Sequence, residues 1–246
     1  MLNIKKKILS RFPTLYTKWL QHSRKSLSRN LQGDGVEIGP GNLPMLFSNK
    51  VNMTYIDINT QETLSRFHPQ YKFDNLTNFI IADADNLPKV TNNTYDFLVA
   101  NHVIEHVKNP LKAFKRWYEV VKPGGHLIII FPNRDECFDK GRPYTTISHL
   151  VSEFKLANDS KEMHTNLKNH LYEHYANVRY KDDTTRMHKE LDIEKEIRRG
   201  SSHYHVWGEE NTHSFFSTAN TIGLPLEIEQ FEHKMGELRF LIKKME

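Results

Sequence analysis

The run Val36-Glu37-Ile38-Gly39-Pro40-Gly41-Asn42 narrows the possible folds more than any other part of this chain. Apolar residues suited to a buried strand lead into a glycine turn, with an acidic residue just before the first glycine. Gly39 and Gly41 lack a Cβ, so the backbone can turn sharply and a ligand can approach it closely. About twenty residues later a second strand-like run, Met53-Thr54-Tyr55-Ile56-Asp57, ends in an aspartate placed to accept hydrogen bonds from ribose hydroxyls. This is the layout of a nucleotide-binding βαβ unit. The turn reads E-x-G-x-G rather than G-x-G-x-x-G. A pyrophosphate needs the third glycine and a helix N-terminus. A nucleoside without phosphate, carrying a charged amino-acid tail, fits a shorter turn with a carboxylate beside it.

From Gly35 onward the chain alternates strand-like and helix-like runs. Strands are expected at Gly35–Ile38, Met53–Ile58, Phe79–Ala82, Phe97–Ala100 and His126–Phe131, with helices at Gln61–Phe67 and Leu111–Val121 between them. Such alternation predicts an α/β fold, a doubly wound and mostly parallel sheet with helices on both faces. Right-handed crossovers then place the strand C-termini on one edge, where ligands bind in open sheets. The glycine turn, Asp57, Asp83 and Asn101 all fall there. Lys122-Pro123-Gly124-Gly125 reads as a helix stop and a tight turn into the next strand, without chemistry of its own.

The alternation stops after Pro132. Residues 133–210 are polar, rich in His, Asp, Glu and Lys, with helical stretches at Thr165–Tyr175 and Lys189–Arg199. The core pattern then resumes with a helix over Asn211–Ile222, closed by Gly223, and a hairpin of Leu226–Phe231 and Leu238–Ile242 turned at Met235-Gly236. The expected organisation is a core of 33–132 and 211–246, split by a substrate-binding insertion of 133–210 that caps the ligand edge. Residues 1–32 read as a basic helical lead-in. Its apolar stripe, Ile8, Leu9, Phe12, Leu15, Tyr16 and Trp19, either packs on the core or touches a membrane surface.

A chain of 246 residues with 38% hydrophobic and 11% aromatic content can bury a substantial core. The net charge of +4 comes without a long basic block, the solvated tail Lys5-Lys6-Lys7 aside, so a nucleic-acid partner is not indicated. The one cysteine, Cys137, excludes an internal disulfide and fits a reducing, cytoplasmic setting. In its polar loop it is expected to be inert. No apolar run reaches the length of a membrane span, and no signal-peptide pattern follows the lysines of residues 1–7.

Five segments in order resemble the class I S-adenosylmethionine-dependent methyltransferases. They are Val36–Asn42, Tyr55–Ile58, Ile81–Pro88, Tyr95–Val107 and Val121–Leu127. The resemblance implies a Rossmann-like sheet of seven strands with the last one antiparallel, and S-adenosyl-L-methionine as cofactor. It also implies roles. Glu37 lies near the methionine amino group, and Gly39 and Gly41 line the cofactor. Asp57 takes the ribose hydroxyls and Ile58 packs on adenine. Asp83 accepts from the adenine amino group with the Ala84 backbone beside it, Asp85 being its rival, and Asn101 closes the methionine end. The chemistry agrees, because an ammonium and a sulfonium suit a pocket lined by carboxylates.

Fourteen histidines is a high count, and many fall in the insertion or near the sheet edge. Glu105-His106 follows the fourth strand and is expected to face the transferred methyl group, as catalytic base or metal ligand. His203-x-His205 lies on a segment of strand period, which points both imidazoles the same way. With His106 they make a candidate set for a divalent ion, and imidazole-carboxylate ligands suit Fe, Mn, Co or Zn. Methylation of a hydroxyl requires that its proton leave, and either a positioned imidazole or a metal can take on that task. His149, Tyr204 and Trp207 are candidate substrate residues, the aromatics for a sugar face. The stretch Gly141–Leu150 with the later His-x-His-x-Trp also resembles bacterial methyltransferases associated with surface-polysaccharide synthesis. The expected acceptor is thus a sugar or polysaccharide precursor. A lipid-linked or quinone-type molecule, and a non-catalytic cofactor-binding protein, are the alternatives.

Overall fold

The computed structural model describes residues 13–41, 43–67, 76–181 and 183–246. Ile8, Leu9, Phe12, the Lys5-Lys6-Lys7 tail and Asn42 lie outside them. The described residues form helices α1 (Pro13–Ser23) and α2 (Lys25–Ser28), strands β1 (Gly33–Ile38) and β2 (Val51–Asp57), helix α3 (Gln61–Phe67), and strands β3 (Phe79–Ile81) and β4 (Tyr95–Asn101). Helix α4 (Pro110–Val120), strand β5 (Val121–Pro132) and helices α5 (Ile147–Lys155), α6 (Lys161–His174), α7 (Thr184–Glu190) and α8 (Ile193–Arg199) follow. Helix α9 (Glu209–Thr221) and strands β6 (Leu226–Lys234) and β7 (Glu237–Lys244) complete the chain. The seven strands lie in the order β3-β2-β1-β4-β5-β7-β6, and β7 runs antiparallel to both its neighbours, as expected.

The central strands are buried on both sides, as parallel strands between two helix layers must be. Their period of two sorts one strand into two cores. Leu98 and Ala100 face a large cluster with Leu111, Phe114 and Trp117 of α4 and Phe215 and Phe216 of α9. Phe97 and Val99 face Leu27, Leu31 and Met45 on the other side. Helix α4 starts where Asn109 caps it, its side chain accepting from the Lys112 amide, with Pro110 at the first helical position. The lead-in helices pack on the sheet. Arg24 is buried in an ion pair with Glu237 of β7, and Arg239 donates to the same carboxylate at 2.8 Å.

Two local expectations are corrected. Lys122-Pro123-Gly124-Gly125 is part of β5 and not a turn, because Val121 already pairs with Tyr95 and the ladder absorbs the extra residues as a bulge before Phe97. A Cβ on Gly125 would stand 2.5 Å from the Asp96 carbonyl oxygen, so that glycine answers a close backbone approach. The helix expected over Lys189–Arg199 is two helices. Asp192 accepts from the Lys195 amide at 3.0 Å, and a capping aspartate starts a helix better than it continues one.

Residues 133–210 carry a small apolar cluster of their own, including Met163, Leu167, Leu171, Met187 and Ile193. Leu150 of α5 and Trp207 instead join the main core, which fixes this segment to the sheet. A π-helical turn, Tyr175–Arg179, extends α6. Among the described residues, no helix is long and apolar enough to cross a membrane.

Candidate active site

The strand order reverses between β1 and β4, and open α/β sheets bind ligands at the carboxyl ends of strands at such a point. Gly39 and Gly41 follow β1 with φ of +58° and +48°, in the left-handed region that favours glycine. A Cβ on Gly39 would lie 2.8 Å from Val103 Cγ2, so the turn must stay bare. Glu37 is buried, and both its oxygens accept from the Met45 amide, at 3.0 and 3.1 Å. Burial lifts its carboxyl to about 8, against the opposing pull of that amide and of Arg24. Its partner within the protein is thus the far end of the glycine loop.

Asp57 ends β2. Its Oδ1 accepts from the Asn59 amide at 2.8 Å and from Asn59 Nδ2 at 3.1 Å. Beside it Ile58 is 63% exposed and Ile81, at the end of β3, 47%, two large apolar side chains open at the ligand edge. Asp83 and its rival separate cleanly. Asp85 is buried and accepts from the Lys108 amide at 3.0 Å, a structural task, while Asp83 closes a short turn onto the Asp85 amide at 2.9 Å. The Ala84 carbonyl is taken by Trp117 Nε1 at 2.8 Å. Asn101 Oδ1 is buried without a hydrogen-bond partner, which suits a donor arriving with a ligand. This edge therefore fits a nucleoside with an amino-acid tail.

Beyond β4 the backbone passes through His102 at φ +54° into the loop that carries Glu105 and His106. Glu105 is fully buried and neither carboxylate oxygen has a hydrogen-bond partner. His102 Nδ1 stands 3.6 Å and His203 Nε2 3.8 Å from its Oε1. His106 Nδ1 lies 3.0 Å from the Ser202 carbonyl, which can only accept, so Nδ1 carries the proton and Nε2 is the basic nitrogen. Burial holds its pKa below the usual histidine value, with Glu105 opposing. The His106 and His203 rings meet edge to face at 4.7 Å. His203 Nδ1 donates to Asp139 Oδ2 at 2.6 Å. Burial raises the Asp139 carboxyl, but His203 and the buried Arg142 outweigh it and bring it to about 2. The composition of the loop after β5 gave no signal for Asp139 or Arg142, since only folding brings them to His203. Burial pushes the Cys137 thiol up to about 12.

Three sequence expectations change here. His205 does not join His106 and His203. The 203–207 segment forms no strand, and His205 Nε2 turns instead to Glu153 Oε2 at 2.9 Å. His149 faces the same carboxylate and His170, away from Glu105. Tyr204 and Trp207 cannot offer a sugar face. Trp207 is 1% exposed among Phe131, Phe215 and His205, and Tyr204 is buried in the smaller cluster, because both rings gain more from core burial than from solvent. The open aromatic near the histidines is Phe138, 56% exposed and 4.5 Å from the His203 ring.

Residues 36–129 match a family described as a methyltransferase domain. No curated protein matches the sequence. Among solved structures, a chain from the complex that contains the Haloferax volcanii Trm112 methyltransferase activator aligns over 96% of this chain and 95% of its own, at 11% identity and a TM-score of 0.53. A SAM dependent methyltransferase from Aquifex aeolicus aligns over 93% and 97%, at 16% identity and a TM-score of 0.48. Identities this low speak only to the fold. The matched methyltransferase domain, set in the seven-stranded sheet, makes this protein an S-adenosylmethionine-dependent methyltransferase. It is an enzyme, and its cofactor is S-adenosylmethionine.

Proposed function

We propose that this enzyme methylates a hydroxyl of a polyhydroxylated small molecule, a sugar or polysaccharide precursor, with His106 as general base and residues 133–210 as the cap that holds the acceptor. The observation that carries this is the hydrogen bonding at the end of β4. The Ser202 carbonyl fixes the His106 tautomer, Nε2 keeps its lone pair, and buried Glu105 stands beside it with both oxygens uncommitted. Bound S-adenosylmethionine supplies an electrophilic methyl group. The Asp57 carboxylate would accept from the ribose hydroxyls, Ile58 and Ile81 would cover the adenine, Asp83 would receive its amino group, and the Gly39–Gly41 turn, Glu37 and Asn101 would close the amino-acid end. His106 Nε2 takes the acceptor's proton as the methyl carbon–oxygen bond forms and the sulfur–methyl bond breaks, its electron pair leaving with the sulfur as a neutral thioether, and Glu105 stabilises the resulting imidazolium. His203, oriented by Asp139, is placed to relay that proton or to hold a second hydroxyl. Phe138 takes the sugar-face role first expected of Tyr204 and Trp207. The mild net charge of +4 and the lone cysteine favour a small-molecule acceptor in a reducing, cytoplasmic setting.

The competing version is a divalent ion on Glu105, His106 and His203, whose ligand atoms lie within 4.8 Å of one another. Turnover of nucleotide-activated sugars separates the two. For a base, His106→Ala lowers kcat by roughly 10²–10⁴-fold with cofactor affinity unchanged. The wild-type kcat falls as pH drops below the imidazole pKa. For a metal, the same substitution also empties the site of its ion. Unchanged kcat in both His106→Ala and His106→Ala/His203→Ala would sink either version. Turnover only of lipid-linked or quinone precursors would transfer the acceptor to that class.

A further inference from the structure

A second cluster lies apart from the residues of the proposed reaction. His149 and Glu153 are one helical turn apart on α5 and so share a face. His170 comes from α6, and His205 from the extended segment before α9. Glu153 and His205 are buried, His170 nearly so, and His149 is half-buried. Four ligand atoms converge: three imidazole Nε2 nitrogens and the carboxylate of Glu153, all within 4.8 Å of one another. His149 Nε2 lies 2.9 Å from His170 Nε2. Glu153 Oε1 lies 3.0 Å from the first and 3.1 Å from the second. His205 Nε2 is 2.9 Å from Oε2.

Protons alone satisfy this arrangement poorly. Three atoms at 2.9, 3.0 and 3.1 Å form a nearly equilateral triangle. If both imidazoles donate to Oε1, their N–H groups arrive about 60° apart, half the roughly 120° between carboxylate lone pairs, and their hydrogens crowd each other. If one donates to the other, the acceptor has no proton left for Glu153. A cation at the centre meets all four lone pairs at once. Metal–nitrogen and metal–oxygen bonds of about 2.0–2.2 Å give ligand-to-ligand edges of roughly 2.8–3.1 Å at right angles and 3.3–3.6 Å at the tetrahedral angle. The three short edges here match the first range, and opening them by about 0.3–0.5 Å through side-chain rotation reaches the second.

We propose that His149, Glu153, His170 and His205 bind one first-row divalent metal ion, zinc by preference, in a structural site that staples α5 and α6 to the 203–207 segment. Three imidazoles and one carboxylate are a borderline-soft set that selects zinc and its neighbours over magnesium or calcium. Four protein ligands drawn from three separate pieces of chain make a closed site, and metal bound only by the folded form stabilises it. The staple also has a positional consequence. The Glu105 carbonyl accepts from the Tyr204 amide at 2.8 Å and the His205 amide at 3.3 Å, so the clamped segment is the one that sets His203 beside Glu105.

The proposal is independent of which acceptor is methylated, or whether His106 is the base. It is tested on the full chain, purified without a histidine tag or chelating resin, by elemental mass spectrometry. About one equivalent of zinc per chain is expected. His149→Ala and His170→Ala should lose it, and His106→Ala should keep it. Chelation should lower the melting temperature of the wild type and added zinc restore it. In His149→Ala, where a half-exposed side chain is removed and the fold is least disturbed, chelation should shift nothing. Zinc titration into stripped wild type that shows no binding overturns the proposal. So does full metal content in His149→Ala/His170→Ala, or loss of the metal from His106→Ala with retention in His149→Ala.

Discussion

Asp57 is held in place by its own turn at the end of β2. Its Oδ1 accepts from the Asn59 amide and from Asn59 Nδ2, and the neighbouring Ile58 stands open. Asp57→Ala should weaken S-adenosylmethionine binding by about 2–3 kcal/mol, roughly 30–150-fold, because two charge-assisted hydrogen bonds to the ribose go. Calorimetry checks it, with Asn59→Ala as the control for the turn, and an unchanged Kd would count against the assignment. The positive-φ turn at Gly39 and Gly41 and the place of Asp57 at a strand end were legible from sequence because each is fixed within one strand and the turn after it, where spacing along the chain is spacing in space. Asp139 and Arg142 were not. Their meaning comes from His203 and Glu173, which are distant in sequence.

Elements are joined here by polar side chains at their ends as much as by apolar faces. Asn109 caps α4 through its Oδ1 while its Nδ2 donates to the Glu153 carbonyl of α5 at 2.6 Å, all without solvent access. Asn109→Ala should therefore remove a cap and one of the two hydrogen bonds to the Glu153 carbonyl, which keeps the Leu156 amide, costing about 1–2 kcal/mol of stability. Urea unfolding should show a lower midpoint at constant slope; a loss under about 0.5 kcal/mol would mean the link is idle. The boundaries of α3, α4 and α9 were readable from caps and periodicity. The two failures, the β5 extension and the α7–α8 break, share a cause. A bulge is decided by the partner strand, and Asp192 could be read as a mid-helix residue until its cap geometry was known.

For the molecule as a whole, His174 and Glu37 are two buried groups expected to contribute to opposite pH limbs. His174 is held to about 4 by burial and by Arg142, so it is neutral when folded and takes up a proton on unfolding; stability falls as pH drops from about 6.5 to about 4. Glu37, lifted to about 8 by burial, keeps a proton the unfolded chain releases; stability falls as pH rises from about 4.5 to about 8. Melting temperatures across pH should show His174→Gln flattening the acid limb and Glu37→Gln the alkaline one. Limbs unchanged in both variants would show that other groups dominate. Alternating strands and helices, the bare glycine turn and its flanking carboxylates follow from the order of residues along the chain, because each is fixed by local geometry or by a period along one element. The division of the histidines between Glu105 and Glu153, and the core burial of Tyr204 and Trp207, arise from packing between distant segments. Fourteen similar side chains carry no address in their composition. Their partners are chosen when α5, α6 and the 203–207 segment pack together, where burying Glu153 without the imidazoles of His149, His170 and His205 would cost more than any preference within a segment.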